Sequence, residues 1–324
     1  MEVPCVRVRP QDGERTRAAL ADRGLVHDGY EITVEGGWLY VPVSDAEGVG
    51  AEYDVTTHDL PVREGQTLPA DLLGFEPSYE RIGTIAIVDE DDEDRARAIA
   101  DAIVESDLPL DSVVNRASKV KGELRVRDWE VLAGGTETIH REYGFEYALD
   151  LATVYFSPRL ATERHRVTEQ TEAGENALDL FAGVGPFVIP FAARGAEAVG
   201  VDLNPAAVTF MRENAERNGV AERVTAIEGD VRELSGYDDW ADRLVMNLPH
   251  SADAFLETAV RLAGDDCTLH YYDIQSDDDP FGPGEAAIRA AAEPEYDVTV
   301  ENRHVVRSYA PHEENVCLDV RLTR

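Results

Sequence analysis

From about Ser157 onward the chain alternates strand and helix, and this alternation restricts its architecture more than any other feature. ALDLFAGVGPF reads as a strand, a glycine loop and a helix start, and AEAVGVDLN as a second strand leading into the helix PAAVTFMRENAERNG. VTAIEGD and DRLVMNLP follow as strands, SADAFLETAVRLA as a helix and CTLHYYDI as a strand. Helices and strands of this length in alternation predict an α/β fold with a doubly wound, mostly parallel sheet. Gly183 and Gly185 let the backbone pass close to a ligand lying at the helix N-terminus. A dinucleotide fold wants a third glycine three residues after Gly185; Val188 stands there, which disfavours NAD and FAD.

Each successive strand ends in Asp or Asn: Asp179, Asp202, Asp230 and Asn247. Asp202 is placed to accept from ribose hydroxyls and Asp230 from an adenine amino group. Any one of them alone reads as a helix cap or turn residue. Four in register fall where ligands bind an open α/β sheet.

Upstream, residues 1–43 read as a small β-α-β-β unit with a Gly36-Gly37 hairpin turn, and 44–66 as an irregular linker. A second α+β unit runs from about residue 67 to Phe156, with the strand IGTIAIV and the helix EDRARAIADAIVE. The acidic cluster Asp89–Asp94 at that helix start is what a helix dipole favours and needs no function. The expected division is therefore 1–66, 67–156 and 157–324, two small α+β modules ahead of the α/β domain.

The charge is lopsided. Against 65 Asp+Glu stand 30 Lys+Arg, of which only Lys119 and Lys121 are lysines, for a net −35. Acids spread along the chain read as adaptation to a salt-rich, halophilic cytosol, where the Debye length shrinks to ~3 Å at 1 M. Residues 115–166 are the exception, with nine basic against eight acidic residues. A near-neutral band on so acidic a protein is where an anionic partner can land; chance clustering is the competing reading. No apolar run approaches the ~18 residues of a membrane span. The opening MEVPCVRVRPQDGER has no leader pattern, and three scattered cysteines make no disulfide framework. A soluble cytoplasmic protein is expected, and no His/Cys/Asp cluster has metal-ligand spacing.

The strand-end pattern resembles class I S-adenosylmethionine-dependent methyltransferases, whose fold is Rossmann-like. KGELR (Lys121–Arg125), TETIH, VYFSPRLATER (Val154–Arg164), DLFAGVGPF, DLNP, GDVRE, MNLPH, HYY and SYAP occur in order. Together they resemble the archaeal and eukaryotic tRNA (guanine-37 N1)-methyltransferase family over most of the chain from about residue 70. The resemblance implies S-adenosyl-L-methionine as cofactor, the anticodon stem-loop and body of tRNA as partner, no metal, and action as a monomer. Guanine N1 carries a proton on the Watson–Crick edge, so its methylation requires extrusion of the base, a proton acceptor, and a cation for the charge shifting to O6.

By resemblance, Glu163 is the general base, Arg125 the O6 stabiliser, and Asn247 with the NLP backbone holds the base and flanks the cofactor. Arg164, Asp179, Phe181, Gly183, Gly185, Asp202, Leu203, Asp230 and Val231 are the remaining implied cofactor contacts. Lys119, Lys121, Arg127, Tyr155 and Pro249 are implied on the RNA side. The ordinary readings are simpler: Glu163 as an i,i+3 partner of Arg166, Arg125 as a phosphate contact, Tyr155 and Phe156 as core aromatics. His250, His270 and Tyr309 read as structural. Two rivals share the sheet: an aminocarboxypropyl transferase of wyosine-type base synthesis, and a bifunctional methyltransferase acting on the tricyclic intermediate.

Overall fold

The computed structural model describes residues 2–50, 52–63, 65–118, 122 and 127–324. The chain divides into two compact units, Met1–Leu68 with Ser106–Leu108, and Pro69–Glu105 with Pro109–Arg324. The first unit holds β1 (Glu2–Val8), α1 (Gly13–Ala21), β2 (Thr33–Glu35), β3 (Trp38–Pro42) and β4 (Val55–Asp59). Its sheet order is β2-β3-β1-β4, and Gly36 and Gly37, both at positive φ, make the tight β2–β3 turn. β4 lies inside the stretch expected to be irregular. Its residues are all exposed or half-buried, so the edge strand carried too weak an apolar alternation to be read.

The second unit begins with α2 (Pro69–Leu73), β5 (Glu80–Ile82), β6 (Ile85–Val88), α3 (Glu93–Glu105), β7 (Ser112–Arg116) and β8 (Trp129–Ala133). These strands form a sheet in the order β5-β6-β7-β8. The hairpin β9 (Glu137–Glu142) and β10 (Phe145–Asp150) follows, then α4 (Ala161–Thr168). The α/β part runs β11 (Asn176–Asp179), α5 (Val188–Ala193), β12 (Glu197–Asp202), α6 (Pro205–Arg217), β13 (Val224–Glu228) and β14 (Ala241–Met246). It ends with α7 (Leu256–Leu262), β15 (Ala263–Ser276), α8 (Gly282–Ala292), β16 (Asp297–Ala310) and β17 (Glu313–Thr323).

Seven of these strands make one sheet, β13-β12-β11-β14-β15-β17-β16. The first five pair in parallel, and β17 pairs antiparallel with both β15 and β16. Alternate residues feed opposite cores, as the two-residue period of a strand requires. Ala177, Ala198, Val245 and Tyr272 pack with α4, α5 and α6, whereas Leu178, Val199, Leu244 and Tyr271 pack with α7 and α8. The sheet is thus doubly wound, as the alternation predicted. Its strand order reverses between β11 and β14, and a crevice opens there beyond the strands' carboxyl ends.

A third core joins Ile85, Ile87 and Val114 of the smaller sheet to Tyr147 and Leu149 of β10 and to Val184, Ala207 and Ala215. Two amides on one face of α6 clamp the hairpin. Asn214, fully buried, accepts from Ala148 N (2.7 Å) and donates to Ala148 O (3.1 Å) and Val184 O (3.0 Å). Asn218 accepts from Glu146 N and donates to Glu146 O. β10 is thereby held against the glycine loop. Among the described residues no helix is long and apolar enough to cross a membrane.

Candidate active site

The loops after β11, β12, β13 and β14 meet in a cleft of about 1220 Å³. After β11 the chain turns sharply. Asp179 Oδ1 accepts from Phe181 N, Ala182 N donates to Val201 O, and Gly185 N donates to Ala182 O. Gly183 (φ 55°) and Gly185 (φ 90°) occupy left-handed conformations that glycine adopts without strain. A Cβ on Gly183 would meet nothing nearer than Tyr155 O at 4.0 Å, so the ligand side of the loop is open.

Asp202 ties this loop to the next strand. One carboxylate oxygen accepts from Gly183 N (2.7 Å) and the other from Asn204 N (2.8 Å), while Asn204 caps α6 by accepting from Ala206 N. Burial pushes the Asp202 carboxyl upward, and it pushes Asp179 up to about 7. Asp202, Leu203, Asp230, Val231, Phe181 and Gly183 all line the cleft, as does Asn247. Asp230 is held below its usual range by hydrogen bonds from Arg232. Two of the expected cofactor contacts do not line it: Asp179, 1% exposed, shapes the loop from beneath, and Gly185 packs against Met211 and Ile189.

A polar acceptor on Asp202 beside apolar Leu203, Val231 and Phe255 is the donor set that a nucleoside fits: hydroxyls for the carboxylate, a flat ring for the apolar wall. Phe255 meets Phe181 edge-on at 4.9 Å, and the Arg232 guanidinium lies 5.0 Å from its ring centre. Neither Phe255 nor Arg232 was singled out from the sequence, because neither sits in a strand-end position that the pattern flags.

Cationic and aromatic side chains line the same cleft. Tyr155, Arg127, Arg159, Asn247, Pro249 and His250 line it, and so do Arg307, Tyr309 and Asn315 from β16 and β17. Tyr155 is 43% exposed, whereas Phe156 is buried in the core, so the two neighbouring aromatics divide between the two readings. His250 takes φ 74° after the NLP turn and meets Tyr309 edge-on at 5.4 Å; both residues had read as structural. Lys119, Lys121 and Arg125 lie outside the described residues.

Arg164 is 3% exposed and forms a two-pronged ion pair with Glu142 (2.8 and 2.6 Å), with a third bond to Ser157 O. Such forked pairs fix geometry as well as charge. Arg164 therefore braces the Ser157 corner while also lining the cleft.

Glu163 makes the pair with Arg166 that the i,i+3 spacing predicted, at 2.7 and 2.8 Å, but in the interior: it is 4% exposed. Its carboxylate also accepts from the Tyr272 hydroxyl (2.8 Å) and lies 3.3 Å from His304 Nε2. Ser157 and Leu160 line the cleft, whereas Glu163 does not. Beneath it, Arg166 donates to both oxygens of Asp319, whose Oδ1 sits 2.7 Å from His270 Nδ1. His270, Cys317 and Asp319 have a metal-binding composition, yet their polar atoms are engaged by Arg166, Arg243 and Asn302. They read as a hydrogen-bonded network.

Three family models match: the TRM5/TYW2 methyltransferase domain over residues 138–300, the tRNA methyltransferase 5 N-terminal domain over 5–49, and the TYW2 N-terminal domain over 65–138. The tRNA (guanine(37)-N(1))-methyltransferase Trm5b of Pyrococcus abyssi is 39% identical over 98% of both chains. Its crystal structure superposes with a TM-score of 0.71 at 37% identity, covering 99% of this chain and all of that one. The chain belongs to the Trm5-type tRNA (guanine-37 N1)-methyltransferase family. A complex of aTrm5 with tRNALeu matches equally well, with a TM-score of 0.71 at 31% identity over 98% of this chain and 99% of that one. The tRNA(Phe) (4-demethylwyosine(37)-C(7)) aminocarboxypropyltransferase of Pyrococcus horikoshii is 34% identical, but over only 64% of this chain and 76% of its own length. The Trm5 likeness thus extends over the whole chain, while the sequence likeness to the rival transferase covers about two thirds of it.

Proposed function

We propose that this chain transfers the methyl group of S-adenosylmethionine to N1 of guanine 37 in tRNA. The observation that carries the reading is the cleft itself. At about 1220 Å³ it exceeds the ~300–1,000 Å³ of a single-ligand pocket, and its lining combines two chemistries. The glycine loop with Asp202, Leu203 and Val231 suits the cofactor's nucleoside, and Tyr155, Arg127, Arg159 and Asn247–Pro249 suit an extruded nucleotide and its phosphates.

Gly183, Asp202, Leu203, Asp230 and Val231 would hold the cofactor, which supplies an activated methyl on a sulfonium. Arg164 and Asn247 also line the cleft. Tyr155 stacks on the flipped base, and Arg125 stabilises charge on O6. Glu163 takes the N1 proton, for which its carboxylate leaves the interior position it holds against Arg166 and Tyr272. Asp179 and Gly185 act indirectly, by shaping the loop.

In this reading 1–66 is a tRNA-contacting module, 67–156 the RNA-recognition module and 157–324 the methyltransferase module. The enzyme acts as a monomer in the cytoplasm. Supporting methyl rather than aminocarboxypropyl transfer is the match to Trm5b along the full chain. The test is a transfer reaction with cofactor labelled either on the methyl or on the aminocarboxypropyl chain, using an unmodified G37 transcript in molar KCl. Methyl label alone in the tRNA supports the reading; aminocarboxypropyl label overturns it.

A further inference from the structure

Helix α4 lies over two rows of side chains that run across β15, β17 and β16. The register aligns Tyr272, Cys317 and His304 in one row and His270, Asp319 and Asn302 in the next. Glu163 sits over the first row and Arg166, one helical turn on, over the second. Among the described residues the Glu163 carboxylate takes its partners from this arrangement: two donors on Arg166, the Tyr272 hydroxyl, and His304 Nε2 at 3.3 Å.

These partners differ in what they can do with a proton. A guanidinium stays charged and cannot accept one. Burial drives the Tyr272 phenol well above its ordinary value, and the hydroxyl offers only its own hydrogen. An imidazole both accepts and releases protons near neutral pH. The His304 side chain is 40% exposed while that of Glu163 is 4% exposed, so of the two only His304 reaches water.

We propose that His304 is the proton outlet of the Glu163 base, a positioning and relay residue acting through Glu163. This rests on the assignment of Glu163 as the base. In the relay the guanine N1–H bond breaks, its electron pair stays on N1 for attack on the methyl carbon, and an O–H bond forms on Glu163. When the side chain returns to its observed position, that O–H breaks as Nε2–H forms on His304, which then loses the Nδ1 proton to water. The exposed ring resets its tautomer through solvent, again presenting a free Nε2. Made before the methyl moves, this hand-over keeps N1 from recapturing its proton.

The charged and titratable groups around the ring are Glu163 and Arg166 from α4, Cys317 and Asp319 from β17, and Tyr272 and His270 from β15. The experiment is single-turnover methyl transfer to unmodified G37 tRNA, at saturating enzyme and cofactor, for wild type, His304→Gln and Glu163→Gln from pH 5.5 to 8. The wild-type to His304→Gln rate ratio should grow from near one at pH 5.5 to about tenfold at pH 8. His304→Ala with added imidazole should regain rate at pH 8. A ratio independent of pH, or no imidazole rescue, overturns the relay. Glu163→Gln with wild-type rates would instead overturn the base assignment, so the two failures are distinguishable.

Discussion

Replacing Asn214 with alanine tests how the hairpin holds the cofactor loop. The side chain is fully buried and fully used, serving Ala148 N, Ala148 O and Val184 O. Truncation leaves three backbone groups without their partner in a region closed to water. Each orphaned buried group costs ~1–3 kcal/mol, and partial relaxation trims the sum, so the expected loss is about 3–5 kcal/mol. That is a large share of a typical ~5–15 kcal/mol domain stability and corresponds to a Tm drop of roughly 10 °C. Asn218→Ala is the internal control. It removes the same kind of backbone bonds to Glu146 from a half-buried position where water substitutes, so about 1 kcal/mol is expected. Urea unfolding in molar KCl, followed by both near- and far-ultraviolet circular dichroism, reads both values. Because Val184 lines the cleft, Asn214→Ala should also weaken cofactor affinity. A loss under ~1 kcal/mol for Asn214→Ala, or equal losses for the two variants, would show that the buried amide does not hold the hairpin.

Arg164→Ala strands Glu142 in the interior, and removing one partner of a buried pair costs ~3–5 kcal/mol; thermal unfolding checks it, and a near-neutral result would mean water replaces the guanidinium. Acid should unfold the protein through Asp319. Against the upward push of burial, hydrogen bonds from His270 and Arg166 hold its carboxyl far below the usual carboxylate range. The stability this contributes is present above the unfolded carboxyl pKa of ~3.9 and is lost as pH falls below it. Asp319→Asn should flatten the acid limb of a stability-versus-pH curve. Asp179 acts in the opposite sense: burial raises its carboxyl to about 7, so the cofactor-free protein loses stability as pH climbs from about 4 to about 7, and Asp179→Asn should remove that slope. Binding of tRNA should depend weakly on salt for a chain of net charge −35, with a slope of log affinity against log[KCl] no steeper than roughly −3. A steep slope in filter-binding titrations would mean that counterion release dominates.

What was legible in the sequence was local. The glycine loop and the strand-end residues Asp202, Asp230 and Asn247 each announce themselves within a few neighbours, and all three line the cleft. What was not legible comes from distant strands meeting side by side. Asn315 and Arg307 reach the cleft because β16 and β17 pair antiparallel beyond β15, and nothing around either residue marks it. His270 lies in an apolar strand and read as structural; only the β15–β17 register shows it facing Asp319. The Glu163–Arg166 pair followed from helical spacing, but spacing says nothing of burial, and it is the sheet beneath α4 that turns a surface pair into an interior one. Asp179 illustrates the converse: its strand-end position was read correctly, yet a sharp turn folds the loop over it.

The proposed reaction methylates one atom of one nucleotide. The most direct measurement is nucleoside analysis of an unmodified tRNA transcript bearing G37, after incubation with this protein and S-adenosylmethionine in molar KCl, beside its G37→A counterpart. N1-methylguanosine is expected in the first and no methylated nucleoside in the second. Methylation at another guanine atom, or the same product from the G37→A transcript, would contradict it.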